Sequence, residues 1–232
     1  MSSRASIEPR AARVVFGLSF VLTAAASAGT GEPTSADPVT LAFAVLFTAM
    51  VAVIVPVYWV KHGPANFLWF SDVALFGITA ALWLESSLLG SMMTLAVLGP
   101  ELVWVASFVS GLFARGRAAT TLAAYMFDTS IPRYLRALSL FHLALPPALI
   151  WLIYRYGYDE RALLAQTLVA WIVLPLTLWL APPEKNINWV RGFGHPPRSP
   201  VPKRWHFPMM MAAYPLLVYL PTHWLLVLVT AG

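Results

Sequence analysis

VTLAFAVLFTAMVAVIVPVYWV, residues 39–60, runs for 22 residues without an aspartate, glutamate, lysine or arginine. At a rise of 1.5 Å per residue, an α-helix of that length covers about 33 Å, enough for a bilayer core about 30 Å thick. Five more stretches are long and apolar enough to do the same: 65–84, 88–113, 134–156, 162–181 and 207–229. Of the 232 residues, 59% are hydrophobic and only 11% charged, with a mean hydropathy of +0.71. A soluble domain of that composition has too little polar surface to meet water. The expected fold is all-α, a polytopic transmembrane helix bundle with six core spans, because a spanning backbone must satisfy its own hydrogen bonds.

A seventh apolar stretch, 14–28, is short. It follows Arg4, Arg10 and Arg13 and ends in Ala26-Ser27-Ala28. An uncleaved first helix is the preferred reading and a cleavable signal peptide the alternative; both put the N-terminus in the cytoplasm. The chain then divides into residues 1–38, carrying this segment, and residues 39–232, the six-span bundle with a basic, proline-rich loop at 182–206.

The net charge of +5 carries less information than its distribution. Thirteen of the fifteen Lys and Arg residues fall at the N-terminus, at Lys61, at Arg115, Arg117, Arg133 and Arg136, or at Lys185, Arg191, Arg198, Lys203 and Arg204. Only Arg155 and Arg161 fall on the opposite side. By the positive-inside rule the first set is cytoplasmic, giving a multi-pass protein of the bacterial inner membrane. The basic residues read as a topology signal and a contact for lipid headgroups; nucleic acid is not an expected partner. Trp59, Trp83, Trp179, Trp189 and Trp205 near span ends read as interfacial anchors. No internal repeat points to an inverted-repeat transporter.

With no cysteine, disulfides, thiolate metal sites, iron–sulfur clusters and c-type haem are excluded. No metal and no cofactor is expected; haem held by His142 and His223 is a minor alternative, and HExxH, GxSxG and phosphate-loop motifs are absent.

Ionisable groups inside spans cost at least about 2.5 to 3.5 kcal/mol each at the helix centre and mark functional sites by default. Here they are Asp72, Glu101, His142 and His223. Counting along unbroken helices puts Asp72 about 10 Å and His142 about 12 Å from the inner side, with Glu101 about 18 Å in, near the midplane. Asp72 is thus expected to meet His142, orient its ring and let it transfer protons, with Glu101 as a second proton acceptor. The bland alternative is a hydrogen bond that merely joins two helices. Ser139, His142 and Pro146 form one stripe, and Pro146 and Pro147 free the carbonyls of His142 and Leu143, which predicts a polar niche around the imidazole. By the same rule Pro100 frees Ala96, Pro175 frees Trp171, Pro215 frees Met211 and Pro221 frees Leu217. Trp69 shares a helical face with Asp72, Phe76, Thr79 and Trp83, and Val97, Glu101, Trp104 and Phe108 share another.

Glu184, Asn186, Asn188 and Trp189, in PPEKNINWV at 182–190, cluster on the side where Asp72 and His142 lie. With Asn66, Trp69 and Ser139 they form the expected substrate-binding set, suited to a polar headgroup. Asn66 also reads as a helix cap in KHGPAN, and Asp128 in FDTSIP as another. His223 is expected to be structural and within reach of Glu85.

NFLWFSDVALF, PELVW, LSLFH and PPEKNINWV resemble a bacterial family described only as membrane-associated proteins, a likeness covering most of the chain from Val39 onward. FLWFSD, and His142 ahead of Pro146 and Pro147, also resemble the androgen-induced family of multi-span membrane hydrolases. Those enzymes cleave lipid esters with a threonine nucleophile and an essential histidine. The likeness carries over the histidine and the aspartate; at the threonine position this chain has Trp69, and Ser71 should face about 160° away on a regular helix.

The leading expectation is therefore a buried Asp72/His142/Glu101 site acting on a lipid-like or amphipathic molecule, of hydrolase or transferase type. A proton-linked transporter or channel and a non-catalytic accessory subunit are the alternatives. Membrane lipids are the expected partners.

Overall fold

The computed structural model describes residues 37–114, 122–194 and 196–230; the 14–28 segment lies outside them. Among the described residues the protein is helical, with one isolated antiparallel bridge between Phe193 and Arg198 and no strand.

Helix α1 (Pro38–His62) starts where Asp37 accepts the Thr40 amide at 3.3 Å, with Pro38 in the first turn, and ends at Gly63, whose φ of 75° an L side chain resists. A 3₁₀ turn (Pro64–Leu68) leads into α2 (Phe70–Leu84), and α3 (Ser87–Phe113) follows, capped by Ser86. Helix α4 (Arg133–Leu138) and helix α5 (Phe141–Tyr156) form one interrupted rod. After α6 (Ala162–Leu180) come two 3₁₀ turns (Pro183–Lys185 and Ile187–Trp189). Helix α7 (Lys203–Ala213), a π turn (Tyr214–Tyr219) and α8 (Leu220–Thr230) make one continuous final rod.

Five of these rods are long and apolar enough to cross a membrane: Pro38–His62, Ser87–Phe113, Arg133–Tyr156, Ala162–Leu180 and Lys203–Thr230. The sixth expected span, 65–84, is helical only over the 15 residues of α2. Residues 65–68 belong to the 3₁₀ turn because Gly63 and Pro64 break the chain. Helix α2 packs inside the bundle: Ala74, Leu75, Ile78 and Ala81 are fully buried. Helices α2 and α3 meet closely, since a Cβ on Gly77 would fall 2.2 Å from Met93 Sδ. Many apolar side chains point outward, Val60, Phe113, Tyr154, Leu217 and Leu228 among them, as a lipid-facing surface requires.

The final rod shows what a membrane helix does with a proline. Pro215 leaves the Met211 carbonyl without its intrahelical partner; the ladder loosens into the π turn, and Trp171 Nε1 on α6 donates to that carbonyl at 2.9 Å. Residues 182–206 are not a plain loop. Arg191 donates to the carbonyls of Leu178 (2.6 Å) and Ala181 (3.4 Å), placing a cation on the C-terminus of α6. His206, buried in α7, bonds Ser199 Oγ at 3.0 Å and the Trp189 carbonyl at 2.8 Å, and Lys185 Nζ reaches the His62 carbonyl.

Candidate functional site

Three local breaks converge on one place: the gap between the 3₁₀ turn and α2, the Ser139–Leu140 break between α4 and α5, and the Asn186–Trp189 turn. At the second, the Leu140, His142 and Leu143 amides bond three residues back instead of four, to Ala137, Ser139 and Leu140, so the rod tightens and restarts at Phe141. At the third, Asn186, Asn188 and Trp189 all hold positive φ (43°, 53° and 56°); asparagine tolerates this, whereas a tryptophan there is strained.

Between these breaks lies a partly open cavity of about 430 Å³. Asp72, Glu101 and His142 all line it, as do Asn66, Trp69, Ser139, Asn188 and Trp189 of the expected binding set. Glu184 and Asn186 do not. Glu184 is exposed, and Asn186 is a turn staple whose side chain accepts the Arg191 amide at 3.0 Å and donates to the Gly192 carbonyl at 2.6 Å.

The pairing differs from expectation. His142 Nδ1 bonds Glu101 Oε2 at 2.8 Å, not Asp72. A regular helical count puts Glu101 about 6 Å deeper, but the Ser139–Leu140 break ends the regular rise it assumes. The imidazole is stacked between Phe141 (centroids 4.2 Å) and Trp104 (4.5 Å), which fixes its plane. A carboxylate at Nδ1 sets that nitrogen as the donor and leaves Nε2 as the one for a ligand or water.

Asp72 instead accepts from Asn66 Nδ2 at 3.1 Å through Oδ2, while its buried Oδ1 has no hydrogen-bond partner. Asn66 therefore steadies a carboxylate and does not cap α2. The cap comes from across the fold: Asn188 Oδ1 accepts the Phe70 amide at 3.2 Å, and its Nδ2 donates to the Leu68 carbonyl at 2.7 Å. Asp128 makes an Asx turn with the Ser130 amide at 2.8 Å but caps no helix; the Ser130 hydroxyl first, and that amide second, hold its carboxyl below the usual range. His223 bonds the Tyr158 hydroxyl at 2.6 Å and not Glu85.

The polar niche and the Ser71 direction also differ from expectation. Pro146 and Pro147 do not line the cavity; Pro100 and Ala96, whose carbonyl it frees, do. Ser71 lines the cavity together with Trp69, because Trp69 has an extended ψ of 135° and α2 begins only at Phe70, so the helical angle between them does not apply.

Sequence reasoning missed Tyr58, Tyr125, Tyr214 and Arg136 as lining residues. Tyr58 bonds Ser139 Oγ at 3.0 Å; a tyrosine near the Lys61 end of an apolar span was the available signal. Burial pushes the Tyr125 phenol up to about 12 despite the nearby Ser139 and Trp104 groups, so it is a neutral donor at neutral pH. Trp104 Nε1 is buried and closes no hydrogen bond. Arg136 is held by the carbonyls of Ile131 (3.1 Å) and Met126 (3.0 Å). Among the described residues no group of three or more His, Cys, Asp and Glu side chains is arranged to hold a metal ion.

Protein-family models, curated proteins and solved structures offer no match to this chain, so its site is argued from geometry.

Proposed function

We propose that this chain is a polytopic protein of the bacterial inner membrane that carries out acid/base chemistry on a lipid-like or amphipathic ester. His142 is the proton-transfer group, Glu101 orients it and Asp72 is the second carboxylate of the site. The observation that carries the reading is the 2.8 Å His142–Glu101 bond inside a cavity lined largely by apolar and aromatic side chains.

The resemblance to the androgen-induced hydrolases supports ester cleavage, and Trp69 in the threonine position favours water over a side chain as nucleophile. His142 Nε2 takes a proton from water as its oxygen attacks the ester carbonyl. The tetrahedral intermediate collapses, and the departing alkoxide takes that proton from Nε2, giving acid and alcohol. Trp104 Nε1, a buried donor beside the Tyr125 hydroxyl, suits the oxyanion.

Purified protein in detergent should hydrolyse ester lipids, and His142→Ala should abolish turnover without unfolding the protein; turnover that survives that substitution ends the proposal. A proton-linked transporter is the second reading, favoured by the unpartnered Oδ1 of Asp72 beside a titratable pair. Liposome uptake that responds to a pH gradient and is lost in Glu101→Gln, with no ester turnover, selects it.

A further inference from the structure

Asp72 is a buried carboxylate with an unfinished coordination. It is 3% exposed and lines the cavity; Oδ2 is bonded only by a neutral amide, and Oδ1 by nothing. The first turn of α2, where the helix dipole is positive, and the Asn66 amide favour the anion, while burial and the neighbouring Glu101 carboxylate oppose it. No cation of the described residues answers it. Among them the two ion pairs are His142–Glu101 and Asp159–Arg161, and Arg136 is engaged by two backbone carbonyls. A buried carboxyl in this state stays neutral unless a cation reaches it, and a cationic ligand group entering the cavity would supply one.

The walls specify the partner's chemistry. Tyr58, Trp69, Phe70, Tyr125, Trp189 and Tyr214 line the same cavity, and Trp69 and Trp189 meet edge to face at 6.2 Å. Aromatic faces attract cations, and most strongly where water is excluded. A carboxylate oxygen lacking a donor, inside an aromatic enclosure, is complementary to an N–H-bearing ammonium.

We propose that the cavity binds the primary ammonium group of an amphipathic molecule, with Asp72 Oδ1 as its counterion and acceptor and the aromatic walls around it. This names a substrate class for the acid/base site and rests on the catalytic reading only for the chemistry after binding. Ethanolamine-type phospholipid headgroups and free long-chain amines share the chemistry.

The test uses the full chain in dodecyl maltoside, with tryptophan fluorescence and thermal unfolding as readouts of ligand binding. Dodecylammonium should bind roughly tenfold or more tightly than dodecanol of equal chain length, and more tightly than dodecyltrimethylammonium, which has no N–H. Asp72→Asn should erase the preference for the amine. Equal binding of amine and alcohol by the unaltered protein, or a preference that persists in Asp72→Asn, overturns the proposal. The comparison among ligands on the unaltered chain decides the matter even where the variant does not fold. Nanodiscs containing phosphatidylethanolamine, but not phosphatidylglycerol, should compete with dodecylammonium where the headgroup is the source; competition by neither assigns the site to the free amine. Ester turnover without amine preference defeats this inference alone, and amine preference without turnover defeats the catalytic reading alone.

Discussion

Glu101 holds His142 from across the bundle: the carboxylate comes from α3 and the imidazole from the first turn of α5, and they meet at 2.8 Å with Trp104 stacked on the ring. The pair therefore depends on the docking of two helices, and changes in either helix act on it. Replacing Glu101 with glutamine preserves shape but removes the charge that orients and balances the ring. In the ester assay kcat should fall by about 10² to 10⁴ with KM little changed, the pattern of an orienting carboxylate. A loss confined to KM would assign Glu101 to binding.

Asn188 joins the N-terminus of α2 to the Leu68 carbonyl, and its own carbonyl accepts the Tyr214 hydroxyl at 3.3 Å. Asn188→Ala orphans a buried amide and a buried carbonyl, a cost of about 1 to 3 kcal/mol for each such group. Asn188→Asp keeps the acceptor for Phe70 and should lie between the two. Thermal unfolding in detergent gives the ranking.

At the π turn the Trp171–Met211 bond compensates for Pro215, which makes the two residues energetically coupled. Trp171→Phe should destabilise by about 0.5 to 1.5 kcal/mol. In a Pro215→Ala background the restored backbone amide can take the Met211 carbonyl, and the same substitution should cost less. A double-mutant cycle showing strict additivity would contradict this account.

Outside the spans, Arg161 bonds Asp159 (2.6 Å at the closest) and holds its carboxyl below the usual aspartate range, while the Asp159 amide donates to Ser91 Oγ at 2.9 Å. A carboxyl depressed in the folded state contributes stability above its unfolded titration range and loses it as pH falls through the folded one. The unfolding midpoints of the unaltered protein and Asp159→Asn should differ at neutral pH and converge on acidification. The difference should be small because Arg161 is 78% exposed. A gap that widens toward acid would reverse the assignment.

The sequence alone determined the solvent, the all-helical class and most of the polar residues around the cavity. Hydropathy is a sum over neighbours along the chain, and an ionisable side chain in an apolar segment is conspicuous without any fold. That Pro215 frees the Met211 carbonyl was readable for the same reason, because the missing amide is a local property, whereas its Trp171 partner was not. Tertiary structure decided who pairs with whom. His142 bonds Glu101 because the chain breaks at Ser139–Leu140, and Asn188 caps α2 from 118 residues away. Ser71 shares a wall with Trp69 because α2 starts one residue later than periodicity implies. Helical counting assumes a regular rise and a regular turn, and the cavity stands where both fail.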